Sequence, residues 1–198
     1  FLVFATSLDY CNGDIFVREN GGLAVGSGAL NFVTANATSN RNYTVDIRDN
    51  GYVTVSNNAF NVGGFAGAGA TVNQASGTVR ILGSSGDLSL KSLPSLPVAT
   101  YTLSGGKLFV QNQLKGSAGT VASRFNWTGG ELAFWAAYTA LLENGKLVNN
   151  GGVLAPGGVG KAGYSTISGA YEVTSDNAVL AIDIGGTTAA SAWQQEVS

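Results

Sequence analysis

The side chains in this sequence that could do chemistry are mainly acids, and they form one dense cluster, one loose cluster and a scattered set. The dense cluster consists of Asp46, Arg48, Asp49 and Asn50, in which Asp46 and Arg48 lie two residues apart on one strand face. Its oxygens could bind Ca²⁺ weakly or supply a catalytic acid. Alternating opposite charges are also typical of the solvent-facing side of a strand, and we favour that interpretation.

The loose cluster surrounds the single cysteine, Cys11, and contains Asp9, Asn12 and Asp14. These oxygens could ligate a cation, but the spacing lacks the bidentate acid and the glycine of a calcium loop. We therefore favour a polar turn. A lone cysteine forms no disulfide within the chain and no thiolate zinc cluster, so we interpret Cys11 as a small buried apolar residue.

The scattered acids would matter most for a glycosidase, which needs two carboxylates about 5 to 10 Å apart. Their dispersion in the sequence nominates no pair, although stacking of repeats could bring some together. The chain also contains no histidine, which excludes every mechanism that depends on an imidazole. We therefore predict no catalytic, cofactor-binding or metal-binding residue and no enzymatic activity. The acids in question are Asp87, Glu131, Glu143, Glu172, Asp176 and Asp183.

An aromatic cluster lies in the second half of the chain. Exposed rings would offer flat apolar faces on which a sugar could stack, whereas buried rings would fill the core. We favour core filling. The members are Phe125, Trp127, Phe134, Trp135 and Tyr138.

Two further patterns are interpreted as structural or as chance. The glycine-rich stretch 63–70 is not a phosphate loop, because no Lys-Ser/Thr pair follows it, and we expect a turn or a packed loop. Asn36, Asn42 and Asn126 begin Asn-x-Ser/Thr sequons, which we attribute to a composition rich in Asn and Thr.

The composition limits the elements that could position these side chains. Of 198 residues, 44% are hydrophobic and only 11% are charged, with 29 glycines, which is typical of a folded chain of strands and tight turns. The net charge of −2 and the scattered basic residues predict no nucleic-acid partner. No apolar run is long enough for a membrane helix, and the absence of Met suggests a processed chain or a fragment of a larger protein.

A recurring unit of strand, glycine turn and strand runs along the chain. In residues 42–55, Val45 and Ile47 alternate with polar residues before Asn50-Gly51, and the alternation resumes afterwards. Similar units lie at 71–82, 100–110 and 124–134. Taking Gly51, Gly77, Gly105 and Gly129 as markers, the units are 26, 28 and 24 residues apart, within the roughly 20 to 50 residues of solenoid repeats.

The repeat predicts an all-β chain, residues 1–198, folded as a single right-handed parallel β-helix of six or seven coils. An antiparallel β-sandwich is the alternative, because it also has short alternating strands and glycine turns. Residues 131–144 have the only helical composition, and we expect a strand leading into a loop there, with a short helix as the alternative.

Four sequence blocks lie close together near the C-terminal third of the chain: FNWTGGEL at 125–132, GGVLAPG at 151–157, ISGAYEV at 167–173 and AVLAIDIGGTTA at 178–189. In their order and composition they resemble the β-helical passenger regions of bacterial autotransporter-like surface proteins, of the type with autotransporter-associated β-strand repeats. The match departs from the family pattern at 191–195, where a Tyr-Asp strand is expected. The resemblance implies an extracellular or bacterial cell-surface location and no particular activity.

In the last of these blocks, alternation places Leu180, Ile182 and Ile184 in the core, with Ala181 and Asp183 outside.

Three functions are compatible with the sequence. The first is a secreted structural or adhesive surface module whose partners are copies of itself, other surface proteins or surface glycans. The second is a subunit of an extracellular filament or sheath, built by end-to-end stacking, since solenoid ends expose strand edges that need a cap or a partner. The third, which we favour least, is a polysaccharide-active enzyme.

Overall fold

Stacked short strands, joined by turns and loops, form the described chain in the computed structural model. The structure describes residues 1–10, 13–32, 42–63, 69–91, 98–116, 123–139, 142, 145–158, 160 and 162–183. Every described strand pairing is parallel, and each strand pairs with the strand one coil away in the sequence. The predicted parallel β-helix is therefore confirmed as a β-solenoid, and the antiparallel sandwich is wrong. Its handedness stays a prediction of the crossover rule.

Each coil contributes strands to three faces. Face one contains β1 (Leu2–Phe4), β4 (Gly22–Val25), β7 (Tyr52–Val55), β10 (Thr78–Ile81), the first halves of β13 (Lys107–Gly116) and β15 (Glu131–Tyr138), β17 (Val153–Leu154) and β20 (Val179–Leu180). Face two contains β2 (Leu8–Tyr10), β5 (Leu30–Phe32), β8 (Phe60–Gly63), β11 (Leu88–Lys91), the second halves of β13 and β15, and β18 (Thr166–Ser168). Face three contains β3 (Ile15–Val17), β6 (Asn42–Ile47), β9 (Gly69–Gln74), β12 (Thr100–Leu103), β14 (Arg124–Trp127), β16 (Lys146–Asn149) and β19 (Ala170–Val173).

The solenoid has about five turns, slightly fewer than the six or seven predicted. The strands from β4 to β17 have described strands on both sides, whereas β1–β3 and β18–β20 are the terminal strands of the described stack. Dividing the chain length by the repeat spacing counts these end segments as full turns. Because β13 and β15 both run through a corner, faces one and two form one 13-stranded sheet, and face three is a separate seven-stranded sheet.

The core consists of columns of inward side chains in register from coil to coil. Val45, Val72, Tyr101 and Phe125 form one such column on face three. Since alternate residues of a strand point to opposite sides, the inward residues of each interior strand extend these columns. The alternation predicted for the repeat units is confirmed at these positions.

A glycine corner joins face three to face one, and it explains the repeat markers. Gly77 and Gly106 have φ values of +72° and +75°, and a Cβ on either would overlap the carbonyl oxygen of the glycine one coil below. Only glycine fits such a close approach in the left-handed region. The stacked residues are Gly51, Gly77, Gly106 and Gly130, so the last two lie one residue after the predicted markers. Their carbonyls accept hydrogen bonds of 2.8 to 2.9 Å from the backbone N–H groups of Thr78, Lys107, Glu131 and Val153.

The corner between faces one and two, called the variable corner, changes length from coil to coil. Residues 82–87 form it in one coil, a register shift between Val110 and Gln113 forms it in the next, and Trp135 alone forms it after that. In the following coil it lengthens to residues 155–165. The corner between faces two and three lies largely outside the described residues.

The predictions for residues 131–144 and for the inward residues near 180 have different outcomes. The strand predicted at the start of 131–144 is confirmed as β15, so the helical alternative is wrong over 131–138. The predicted burial of Leu180 and Ile182 is wrong, because both are exposed. They lie in or beside β20, the last described strand of face one, where no described strand covers them. Ile184 lies outside the described residues.

Candidate functional site

Asp46 is the centre of the dense acidic cluster, and it is buried on the outer side of face three. Its Oδ2 accepts a hydrogen bond from Arg18 at 2.5 Å, and its Oδ1 accepts one from Arg48 at 2.9 Å. Only 4% of the residue is exposed. The predicted solvated strand is therefore wrong for Asp46, because stacking places Arg18 of the coil below beside it, a neighbour that one strand cannot reveal.

Two guanidinium groups control the charge of Asp46. Burial by itself would raise the pKa of this carboxyl, but the hydrogen bonds and positive charges of Arg18 and Arg48 outweigh burial and lower the pKa below its ordinary value. The guanidinium of Arg18 also lies 4.6 Å from the ring centroid of Phe16. A carboxylate with both oxygens bound to cations is a poor Ca²⁺ ligand and a poor proton donor.

The rest of the dense cluster ties neighbouring coils together. Asp49 accepts a hydrogen bond from the backbone N–H of Glu19 at 3.2 Å, and Asn50 donates to the side-chain oxygen of Asn20 at 3.4 Å. Glu19 and Asp49 both have a φ of +56° and occupy equivalent turn positions in consecutive coils. These residues are structural parts of the turn.

The loose cluster is likewise divided between structural contacts. Asp9 accepts a hydrogen bond from Asn31 at 2.6 Å, and Asn31 accepts one from Asn61 at 2.6 Å, which makes an amide ladder along face two. Asp14 instead accepts from the backbone N–H of Thr44 at 2.8 Å. Cys11 and Asn12 lie outside the described residues.

The scattered acids also contact neighbouring coils. Asp87 accepts hydrogen bonds from Asn112 and Lys115 at 2.7 Å each and from the backbone N–H of Gln113 at 3.2 Å. The other contacts are Glu131 with Lys107 at 3.2 Å, Glu172 with Lys146 at 2.7 Å, and Asp183 with the backbone N–H of Gly160 at 2.8 Å. Asp176 lies in the turn before β20, and Glu143 lies outside the described residues.

Two buried amides were missed by the sequence analysis. Gln74 donates to the carbonyl of Lys107 at 3.0 Å and accepts from the hydroxyl of Tyr101 at 2.7 Å. Burial raises the pKa of Tyr101, which keeps this hydroxyl a donor. Asn149 accepts from the backbone N–H of Gly152 at 2.8 Å and donates to its carbonyl at 3.0 Å. Both residues precede the glycine corner, and their side chains stabilise its turn. The sequence signal that could have identified them is a polar residue at an inward strand position shortly before Gly.

Face three also contains a groove of about 380 Å³ between β14 and β16. The bridge of Ser123 to Leu142 and the pairing of Trp127 to Asn149 enclose unequal lengths of chain, so the two strands separate between them. None of its described lining residues carries a carboxylate, so they do not supply the acid pair of a glycosidase. The polar lining consists of Thr102, Arg124, Asn126, Thr128, Lys146 and Asn150.

The aromatic cluster divides into two groups. Phe125, Trp127 and Phe134 are buried, as predicted for core filling. Trp135 and Tyr138 are 52% and 38% exposed, so core filling is wrong for these two. Since Trp135 occupies the variable corner and Tyr138 is on the outer side of face two, neither faces the core.

A third exposed ring joins them. Tyr164, from the long loop of the next coil, packs against Trp135 with ring centroids 4.4 Å apart and an angle of 62° between the planes. We call Trp135, Tyr138 and Tyr164 the platform. Tyr164 was missed because its position above Trp135 depends on the length of the loop at 155–165.

The described part of the chain contains no group of three or more His, Cys, Asp or Glu residues that could hold a metal ion. It also contains no helix with the length and apolar character that a membrane crossing requires.

The fold and these contacts define a parallel β-solenoid whose acids link its coils. No protein-family model, curated protein or solved structure matches the chain. The resemblance to autotransporter-like passenger regions consequently stays a prediction from the sequence blocks.

Proposed function

We propose that the chain is a non-catalytic structural and adhesive module of an extracellular surface protein, with copies of itself, other surface proteins or surface glycans as partners. The observation that carries this proposal is the use of the carboxylates. Those of Asp9, Asp14, Asp46, Asp49, Asp87, Glu131 and Glu172 each contact a side chain or a backbone N–H group of a neighbouring coil.

These contacts occupy the groups that catalysis would need. A general acid or nucleophile must reach its substrate with a free oxygen, whereas Asp87 already accepts three hydrogen bonds. Holding coils together is the role that this arrangement supports best. The proposed location outside a bacterial cell rests on the sequence resemblance.

A comparison of stability and catalysis tests this role. We expect Asp87→Asn to lower the free energy of unfolding by about 1 to 2 kcal/mol, because hydrogen bonds to a charged acceptor are lost. Glu172→Gln is the matched control, since the side chains of its ion pair with Lys146 are 46% and 43% exposed and the substitution should change stability by about 0.5 kcal/mol or less. Both are measured by denaturant unfolding.

The same variants are then incubated with neutral and acidic polysaccharides, and the new reducing ends that cleavage would produce are quantified. We expect no cleavage by the unmodified chain. Cleavage that Asp87→Asn abolishes, together with a gain in its stability, is the pattern of a catalytic acid and would contradict the proposal.

Head-to-tail association of copies is the second candidate. It is favoured by exposed apolar side chains at both ends of the described stack, Leu2 and Phe1 at one end and Leu180 and Ile182 at the other. Electron microscopy of the purified chain tests it. Long fibres one or a few solenoids wide would support association, and short rods of uniform length would exclude it.

A further inference from the structure

The platform is an exposed aromatic surface that the ends of the stack do not explain. The other large apolar side chains that are exposed lie near the first or last described coils, where fewer strands cover them. Trp135, in contrast, belongs to β15, which pairs with β13 on one side and with β17 and β18 on the other. Tyr138 lies on the same strand, and Tyr164 packs against Trp135 from the loop before β18. These neighbouring exposed rings indicate a surface that contacts a ligand.

The rings are held in place by the fold. Phe134 and Ala137, on either side of the exposed part of β15, are buried in the core. The loop that carries Tyr164 is fastened by a hydrogen bond from the hydroxyl of Ser165 to the carbonyl of Phe134. Gly157 has a φ of +83° and packs closely against Gly163, which folds the loop back on itself. A preorganised surface loses little entropy on binding.

The angle between Trp135 and Tyr164 determines what shape fits. The two rings meet at 62° in an edge-to-face contact, and each residue is about half exposed, 52% for Trp135 and 51% for Tyr164, so part of each ring is open to a ligand. Aromatic faces carry partial negative charge and attract weakly positive C–H groups. A pyranose ring has such C–H groups on its faces and hydroxyls around its edge.

The described polar groups beside the platform are amides and an ion-paired lysine. Trp135 lies opposite Gln111 and Asn112 at the register shift of β13, and the carbonyl of the Gln111 side chain accepts from the backbone N–H of Gly83 at 3.0 Å. Its amide NH₂ group can donate to a sugar hydroxyl. Lys115, beside Tyr138 in the register, is neutralised by Asp87. Among the described residues named here, no unpaired cation selects for an anionic ligand.

From these observations we propose that the platform binds a neutral hexose-containing glycan, with pyranose rings of the glycan packing on Trp135 and Tyr164. The Cα atom of Tyr138 lies at most about 10 Å from that of Trp135 along β15, so an oligosaccharide can contact Tyr138 as well. This inference rests on the proposed adhesive function and names its ligand class. Its test uses variants that leave Asp87 unchanged.

Titration calorimetry with the whole chain tests the proposal, using maltohexaose, cellohexaose, laminarihexaose and mannohexaose up to about 10 mM, with hexagalacturonate as the acidic comparison. We expect at least one neutral hexasaccharide to bind. Trp135→Ala and Tyr164→Ala should each weaken binding about tenfold or more, and Trp135→Phe should retain most of it. Phe16→Ala, which removes an exposed ring on face three, is the matched control and should bind normally.

Several results would overturn the proposal. These are absence of binding to all four neutral sugars, binding of hexagalacturonate alone, or an equal loss in Phe16→Ala. A change of oligomeric state in Trp135→Ala, measured by sedimentation, would show that a second copy covers the platform. Far-ultraviolet circular dichroism checks that each variant is folded. A negative result here leaves the Asp87 comparison unaffected, so the two proposals can fail separately.

Discussion

The glycine corner and the variable corner solve the same problem, which is to turn the chain between adjacent faces, in opposite ways. The glycine corner uses three or four residues in the six passes from β3 to β17, and its carbonyls continue the hydrogen-bonded ladder from coil to coil. The variable corner ranges from the single residue Trp135 to the loop 155–165. Regularity at one corner keeps the strands in register, which allows the other to vary in length and to carry the platform.

The difference also separates structural glycines from permissive ones. Gly106 at the glycine corner and Gly160 in the variable corner have nearly the same φ, +75° and +76°. Gly106 is in close contact with the backbone of Gly77, whereas nothing lies within 4 Å of the position of a Cβ on Gly160. Alanine at either position would have to adopt a left-handed backbone conformation, but only at Gly106 would its Cβ also clash with a neighbouring coil.

The largest expected effect comes from exchanging these two glycines for alanine. Gly160→Ala should cost about 1 kcal/mol of unfolding free energy, the cost of a left-handed non-glycine residue. Gly106→Ala should cost about 3 to 4 kcal/mol, because the added Cβ also displaces the carbonyl of the coil below. Denaturant unfolding of both variants measures the difference. Equal losses would mean that the stacked contact does not contribute, and the contrast between the corners would fail.

A smaller effect is expected at Asp46, on the strand that leads into the glycine corner. Asp46→Asn should cost about 1 to 2 kcal/mol at neutral pH, because two charge-assisted hydrogen bonds become neutral ones. Since the pKa of Asp46 is lowered in the folded chain, its contribution to stability is present above the unfolded value near 4 and is lost as the pH falls through the folded value.

The acid dependence therefore identifies this contribution. Between neutral pH and about pH 3, stability should fall less steeply in Asp46→Asn than in the unmodified chain, because the variant lacks this ionisation. Asp49→Asn is the control, since asparagine also tolerates the φ of +56° at that exposed position and should change stability little. An unchanged acid slope in Asp46→Asn would show that the two arginines do not hold its charge.

The contrast between the corners also explains what the sequence could predict. Alternating Val45 and Ile47, Gly-Gly turns and a spacing near 26 residues depend on local geometry and on the regular corner, so strands, inward positions and the solenoid class follow from them. Contacts between coils depend on which residue stacks on which. Loops of unequal length change the sequence separation between stacked residues from coil to coil, which is why the burial of Asp46 and the position of Tyr164 were not predicted.

The prediction for Leu180 and Ile182 failed for a related reason. Alternation identifies the inward side of a strand, but burial also requires a neighbouring coil. The same limit applies to the prediction of a binding surface. Within the aromatic cluster, the exposed Trp135 differs from the buried Phe134 only in its position at the variable corner.

The stacking register is the central claim, and an engineered disulfide tests it most directly. Thr71 and Thr100 are partners in adjacent strands of face three, whereas Thr102 lies two residues further along. With Cys11→Ser as background, Thr71→Cys with Thr100→Cys should oxidise to an intramolecular disulfide, and Thr71→Cys with Thr102→Cys should not. Mass spectrometry of the oxidised chain shows whether each cysteine pair has formed its disulfide. Efficient closure of the second pair and not the first would contradict the stacking register.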